Sequence, residues 1–246
     1  MSEAAQGAKQ LIYETRNLYH KNKEHIRKNV SLSLGNRRLV FGQTYKKSDD
    51  LLKDLFNKRK QKEINVAVYV HNPQVLFHKM PDKLQMDPSI SHRLSLSKYQ
   101  PLKRRNKSVI IRLLSKDDVD EVNQIYSKFG MYKIDYETAV KNQYSKAVNY
   151  FVAEKDGKVL GVVIGVDHVE LFNSPEKGSS LWGLAVMPNL QGVGVGKLLI
   201  DYIVSYYKTK ELNYIDLYVD YYNKKAMNLY KKLGFKPISR FAVMPR

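Results

Sequence analysis

The chain has 246 residues, 43% apolar and 27% charged, with 13 Gly and 8 Pro, enough for one large domain or two small ones and too apolar for a disordered or fibrous chain. The absence of cysteine excludes a disulfide scaffold, a thiolate metal site, an Fe–S cluster and a Cys nucleophile, and fits a reducing cytosol. Of the formal net charge of +18, residues 1–107 carry +14 (23 basic, 9 acidic) and residues 108–246 carry +4 (19 basic, 15 acidic). Such a field attracts any polyanion, whether nucleic acid, an acidic membrane surface or a phosphate-bearing cofactor.

Residues 1–35 are polar, Lys-rich and weakly periodic, and are expected to be partly helical or mobile. The opening MSEAAQGAKQ has no basic-then-apolar leader, and the most apolar run, Val159 to Val166, is far below the ~20 residues that span a bilayer; no membrane segment and a cytoplasmic location are expected. Residues 36–107 read as a small α/β region. Arg38 to Phe41 is an apolar strand, Asp49 to Lys60 a helix with Leu51, Leu52, Leu55 and Phe56 on one stripe, and Asn65 to Val70 an alternating strand. Pro81, Asp82, Asp87, Pro88 and the stretch Ser95 to Lys107 read as turns and a linker, with KRRNK at Lys103 to Lys107 marking the boundary, either as solvated linker or as a phosphate-binding patch.

Residues 108–246 show a sharper pattern. Val109 to Leu113 is a short strand, and Ser115 with Asp118 makes a Ser-x-x-Asp cap for a helix carrying Val119, Val122, Ile125 and Tyr126, closed by Gly130. Tyr150 to Ala153 and Val159 to Val166 form a hairpin about Lys155 to Gly157, with the second strand running on towards Phe172. Ser180 to Val186 is a strand, followed by a helix striped with Leu198, Leu199, Tyr202, Ile203 and Tyr206. Tyr214 to Val219 is the next strand. Asn223 then caps a helix with Ala226, Leu229, Tyr230 and Leu233 inward, and a last strand lies near Ile238 to Val243.

The segment Gln191-Gly192-Val193-Gly194-Val195-Gly196-Lys197 lies between a strand and a helix. Glycines there let a ligand approach the backbone, and consecutive N–H groups at a helix start form a partly positive cradle for phosphate oxygens. A P-loop is excluded, because Gln191 stands where its first Gly belongs and Leu198 where the magnesium hydroxyl belongs. A dinucleotide cradle needs Gly-x-Gly-x-x-Gly, whereas the spacing here is Gly-x-Gly-x-Gly, although Asp220 after the next strand stands where a ribose ligand would. A glycine-rich turn without a ligand is the remaining alternative, at about 1 kcal/mol per helical Gly relative to Ala.

The third pattern, Gln/Arg-x-x-Gly-x-Gly/Ala, is met by Gln191, Gly194 and Gly196. Here the chain resembles the GNAT acetyltransferase superfamily, over about residues 108–246. The strand LAVMP (Leu184 to Pro188) resembles that family's Leu-x-Val-x-Pro strand, and Asn223-x-x-Ala226-x-x-Leu229-Tyr230-x-x-x-Gly234-Phe235 its second signature. The resemblance implies a GNAT fold, an α/β (α+β) arrangement with a mixed central sheet flanked by helices, the 36–107 region being a degenerate half of the same fold or a separate unit. It implies acetyl-CoA as co-substrate, with the backbone of Leu184, Ala185 and Val186 on the pantetheine arm, the Gln191, Gly192, Val193, Gly194, Val195 and Gly196 amides on the pyrophosphate, Lys197 beside the phosphates, and Asn223 across the arm. Tyr230 stands where such enzymes place a general acid for the departing thiolate; a core aromatic is the alternative reading. Many relatives carry a Glu base two residues before the Leu-x-Val strand, where this chain has Trp182, a residue that shapes the acceptor pocket or packs. His168 and Glu170, expected on one face of the preceding strand, are the candidate bases. His20, His25, His71, His78 and His92 lack metal-ligand spacing, and no metal is expected.

RRLVFGQT (Arg37 to Thr44), DHVELFNSPEKGSSLWGLAV (Asp167 to Val186) and FAV (Phe241 to Val243) together resemble the N-terminal acetyltransferase part of N-acetylglutaminylglutamine synthetases. Those proteins continue into an ATP-grasp ligase; this chain stops at Arg246, so no peptide-bond-forming half is expected. The expected reaction is direct transfer of acetyl from acetyl-CoA to a primary amine of a small molecule, amino acid or short peptide. The alternatives are a protein or peptide N-acetyltransferase and a non-enzymatic nucleic-acid-binding module built on the basic half.

Overall fold

The computed structural model describes residues 25–35, 37–57, 65–70, 73–102, 108–190, 194–238 and 241–245. The N-terminal unit holds β1 (Ser31–Ser33), β2 (Arg37–Phe41), α1 (Ser48–Asn57) and β3 (Asn65–Val70). β2 and β3 pair in parallel with Phe41 opposite Tyr69, as a strand–helix–strand crossover requires. Next come α2 (Pro73–Lys79), β4 (Leu84–Met86) and β5 (Ser89–Ser95). The second half contributes β6 (Ile110–Leu113), α3 (Val119–Ser127), α4 (Tyr136–Tyr144), β7 (Val148–Lys155), β8 (Lys158–Asp167), α5 (His168–Phe172) and β9 (Gly178–Val186). It closes with α6 (Val195–Thr209), β10 (Tyr214–Asp220), α7 (Lys224–Lys232), β11 (Lys236–Pro237) and β12 (Phe241–Pro245).

Local chemistry sets several of these boundaries. Ser115 and Asp118 form a reciprocal capping box ahead of α3, and Arg112 locks the Asp118 carboxylate with two bonds of 2.6 and 2.8 Å. The β7–β8 hairpin turns on Asp156 and Gly157, with φ of 52° and 73°, the paired positive values that match the twist of a two-residue hairpin. Gly130 and Gly234, at φ 62° and 90°, stop their helices in the left-handed region.

The strands form two sheets, a five-stranded one ordered β1-β2-β3-β12-β4 and a seven-stranded one ordered β11-β5-β10-β9-β8-β7-β6. The seven-stranded sheet is mixed, because β9 and β10 run parallel while its other pairs are antiparallel. On one face Leu181, Leu217, Ile215 and Val163 pack with Leu199, Ile203 and Tyr207 of α6 and with Tyr230 of α7. On the other face Trp182, Ile164 and Tyr150 pack with Val122 and Tyr126 of α3 and with Leu39, Phe41, Ala67 and Tyr69 of the smaller sheet. The outer face of the smaller sheet, Val40, Val66 and Val68, is covered by Leu51, Leu52, Leu55 and Leu76. Alternate residues of β2 therefore enter two different cores, and all from Arg38 to Phe41 are buried.

Four expectations are corrected. The stretch read as turns and linker contains β4 and β5, and the boundary at 107/108 does not separate the sheets. β5 pairs with β10 from Ser89–Asp220 to Ser95–Tyr214, while the last strand crosses back to pair with β3 and β4. β5 is polar (SISHRLS), and its polarity is satisfied inside the fold by Arg93–Asp216 and by Ser91 donating to the Ile238 carbonyl, so an apolar pattern could not reveal it. α4 was not expected; Asp135 caps it by accepting from the Thr138 N–H. The strand drawn towards Phe172 ends at Asp167, whose carboxylate accepts from the Val169 and Glu170 amides and starts α5. Residues 1–24, the C-terminal end of the first expected helix and KRRNK lie outside the described residues. Among the described residues no helix is long and apolar enough to cross a membrane, and no His/Asp/Glu group is placed to hold a metal ion.

Gly165 of β8 is where α6 sits closest to the sheet: a Cβ there would collide with the Tyr207 hydroxyl and come within 2.6 Å of Ile203 Cδ1. Gly165→Ala is therefore expected to destabilise the fold by about 1–3 kcal/mol through overpacking, read as a lower urea midpoint at unchanged m-value.

Candidate active site

β9 and β10 pair only from Gly178–Tyr214 to Leu181–Leu217, yet β9 continues to Val186 and β10 to Asp220. Beyond Leu181 and Leu217 the two strands part. The cause lies on the other edge of β9. Val162 pairs with Ala185 and Ile164 with Trp182, so Gly183 and Leu184 together face the single residue Val163, a bulge that bends the strand. Gly183 holds φ at +56°. The Tyr126 hydroxyl donates to its carbonyl at 2.8 Å, and a Cβ on residue 183 would lie 2.5 Å from that hydroxyl. Leu184, Ala185 and Val186 thus form one wall of a cleft, with their β10-side edge unpaired by any strand among the described residues.

At the open end of the cleft stands the start of α6. Its N-cap is Gly194 at φ +97°, with no side-chain cap and no acidic residue in the first turn. The first helical bond is Leu198 N–H to the Gly194 carbonyl at 3.0 Å, which leaves the amides of Val195, Gly196 and Lys197 as outward donors. Lys197 is exposed. A Cβ on Gly196 would make only ordinary contacts, 3.6 Å to Val186 and 3.8 Å to Leu229, so the folded chain itself does not demand glycine there. Gln191, Gly192 and Val193 lie outside the described residues.

Asn223 caps α7, its amide oxygen accepting from Ala226 N–H at 3.0 Å. Tyr230, two turns on, is buried on the α6/α7 face of the sheet with its ring edge-on to Phe235. Burial pushes its phenol up, so the group stays protonated across the physiological range.

On the opposite face, where the strands begin to part, lies a pocket open to solvent. Trp182 and Tyr218 are the first residues past the last paired ones; they stack at 5.7 Å and 20°, and Tyr69 of β3 closes on both rings at 4.9 and 4.3 Å. Phe41, Asp216, Ser180 and His168 complete the lining used below. Asp216 is held by Arg93 through two bonds of 2.7 and 2.9 Å, and the guanidinium lies 3.4 Å over the Tyr214 ring. His168 Nε2 lies 2.9 Å from Ser180 Oγ, which accepts the Trp182 indole N–H at 2.8 Å. An indole N–H only donates, which leaves Ser180 Oγ one lone pair and its own proton for His168 Nε2, the tautomer of the imidazole setting which of the two donates. Phe172 stacks on the imidazole at 5.2 Å and Phe41 meets it edge-on.

The two candidate bases therefore separate. They do not share a strand face, because both sit on α5; His168 is buried and lines the pocket, whereas Glu170 is exposed and does not. Sequence reasoning missed Tyr69, Asp216 and Tyr218. The alternation of Asp216 with Tyr218 and of Ser180 with Trp182 was the available signal for one shared face; the arrival of Phe41 and Tyr69 from the N-terminal unit left no local signal.

Residues 119–235 match the model of the Acetyltransferase (GNAT) family. The sequence is 33% identical to the mycothiol acetyltransferase of Acidothermus cellulolyticus over 35% of this chain and 29% of that protein. It is 30% identical to an uncharacterized N-acetyltransferase of Methanocaldococcus jannaschii over 53% of this chain and 62% of that protein. The chain thus spans less than two thirds of the length of these relatives. The crystal structure of a GCN5-related N-acetyltransferase from Sphaerobacter thermophilus superposes with a TM-score of 0.55 at 14% identity, covering 88% of this chain and 75% of that one; the fold is shared.

Because Gly183 combines a left-handed φ with contact to Tyr126, Gly183→Ala is expected to lower stability by about 1–3 kcal/mol, measured by thermal or denaturant unfolding, with Tyr126→Phe losing only about 1 kcal/mol.

Proposed function

We propose that the protein, whose residues 119–235 match the model of the Acetyltransferase (GNAT) family, transfers the acetyl group of acetyl-CoA directly to a primary amine of a small molecule, amino acid or short peptide. The observation that carries this reading is the parting of β9 from β10, with free helix-start donors at its open end, a protonated phenol on one face and a pocket on the other.

The residues fit the co-substrate. The amides of Val195, Gly196 and Lys197, with the positive end of the α6 dipole, suit a diphosphate, and Lys197 adds a full charge; Gln191, Gly192 and Val193 precede them in the same loop. The unpaired main chain from Leu184 to Val186 suits an extended arm that hydrogen-bonds as an added strand, with Asn223 across the cleft. From Val186 back to Trp182 is four residues, about 13 Å at strand rise, which sets the thioester beside the pocket when the diphosphate is at α6.

In the pocket the acceptor amine loses its proton to Ser180 Oγ as Ser180 passes its own to His168 Nε2. The amine nitrogen then attacks the thioester carbonyl carbon, forming the C–N bond as the C–S bond breaks. Tyr230 gives its proton to the departing thiolate on the other face. The resemblance of Arg37 to Thr44 and Asp167 to Val186 to the acetyltransferase part of N-acetylglutaminylglutamine synthetases supports an amino-acid or short-peptide acceptor.

The test is a screen of primary amines with acetyl-CoA, following thiol release, alongside calorimetry with CoA; no CoA uptake would overturn the reading. Tyr230→Phe is expected to lower kcat by about 10²–10⁴-fold with CoA affinity retained. Gly196→Ala is expected to weaken CoA binding while raising the unfolding midpoint of the free protein, since Ala is favoured over Gly in a helix by about 1 kcal/mol.

A further inference from the structure

Five arginines lie among the described residues, and four are accounted for. Arg27 is exposed. Arg38 pairs with Asp54, Arg93 with Asp216, and Arg112 with Asp118 and Glu154. Arg37 is half-buried and has no carboxylate within ion-pair distance among the described residues. It begins β2 on the same face as Leu39 and Phe41, directed at the seven-stranded sheet, and its guanidinium carbon lies 5.8 Å from the centroid of the Trp182 ring. It adjoins the pocket through two lining residues, Trp182 and Tyr69, and it donates a hydrogen bond to the Tyr69 phenol, which also feels its charge. A guanidinium set against an aromatic wall and left without an anion is the usual arrangement for receiving a carboxylate or phosphate from outside the chain.

The charges around the pocket decide what that anion belongs to. Inside it the carboxylate of Asp216 is cancelled by Arg93. The Trp182, Tyr69 and Tyr218 faces alone would suit an ammonium group, but Arg37 already occupies the Trp182 face and repels a second cation. Asp87 also acts on the Tyr69 phenol but forms no ion pair with Arg37, so the charge against the Trp182 wall is positive. An acceptor whose amine reacts must arrive or become neutral at nitrogen, and can bring a negative group elsewhere.

Resting on the acetyltransferase reading above, we infer that the acceptor is an amine that carries a carboxylate, an amino acid in its chemical class. Its carboxylate is bound by Arg37, its apolar part stacks in the Trp182–Tyr218–Tyr69 box, and its nitrogen faces Ser180. Arg37 is a specificity-determining residue, and it is supplied by the N-terminal unit rather than by the segment that holds the co-substrate.

The experiment compares matched acceptors: an amino acid, its carboxamide and its decarboxylated amine, for several side chains, each with acetyl-CoA and the full chain. The wild type is expected to favour the acid over the other two by about 10- to 100-fold in kcat/KM, the range of a charge-assisted hydrogen-bonded pair. Arg37→Met, which keeps the apolar stem, is expected to bring the acid-to-amide ratio to about one through KM, and Arg37→Lys to restore part of it. Calorimetry with CoA verifies that each variant is folded. Equal use of acids, amides and decarboxylated amines by the wild type would overturn the inference while leaving the acetyltransferase reading intact, as would an Arg37→Met ratio equal to that of the wild type. Acetylation of no amine at all would overturn the acetyltransferase reading itself.

Discussion

The site depends on one irregularity, the glycine bulge that turns β9 away from β10. Two parallel strands joined by a crossover helix ordinarily stay paired to their ends, because each buried main-chain group left without a partner is costly. Here pairing stops at Leu181–Leu217 while both strands go on. Nothing in β10 forces this, since its other edge remains paired with β5 from Ser89 to Ser95. The strand that gives way is β9: Gly183 takes a conformation other residues resist, and Tyr126, donated by α3 from the far side of the sheet, holds the bulge carbonyl. The open edge from Leu184 to Val186 is therefore built in before any ligand arrives, and it points along the line to the uncapped start of α6.

The N-terminal unit is part of the same construction. β5 lies inside the larger sheet, and the last strand of the chain lies inside the smaller one, so the two sheets are tied by strands exchanged in both directions. Phe41, Leu39, Ala67 and Tyr69 bury their side chains against the larger sheet, and the larger of these contribute roughly 1.5–3 kcal/mol each on burial. A pocket wall made by Tyr69 needs that docking. The pocket is thereby lined both by residues of the segment that matches the family model, His168, Ser180, Trp182, Asp216 and Tyr218, and by Phe41 and Tyr69 of the N-terminal unit.

What could be read in advance follows the range of the interactions. The Ser115–Asp118 cap, the Asp156–Gly157 turn, the Asn223 cap and Gly194 at the start of α6 are decided within a few residues, and each stands where local chemistry places it. β5 was hidden because its polar residues find partners over a hundred positions away, as Arg93 does with Asp216. The helical turn at His168 was hidden because the apolar run of β8 gives no sign of its end, which is set by the carboxylate of Asp167 turning back on the next amides. The aromatic box was hidden for the same reason as β5: Tyr69 and Tyr218 lie in different sheets and meet only once both are formed.

In the proposed reaction the two proton-handling groups stand on opposite faces of one sheet. His168 and Ser180 lie in the core shared with the N-terminal unit, Tyr230 in the core beneath α6 and α7. A base and an acid placed side by side would exchange a proton with each other and leave neither ready. Here the sheet separates them, and the route between them runs only through the reacting atoms in the cleft. Burial keeps the Tyr230 phenol protonated, as its proposed part as an acid requires. At position 182 the indole N–H fixes the Ser180 oxygen, and that oxygen sets the place of the His168 imidazole at the pocket wall.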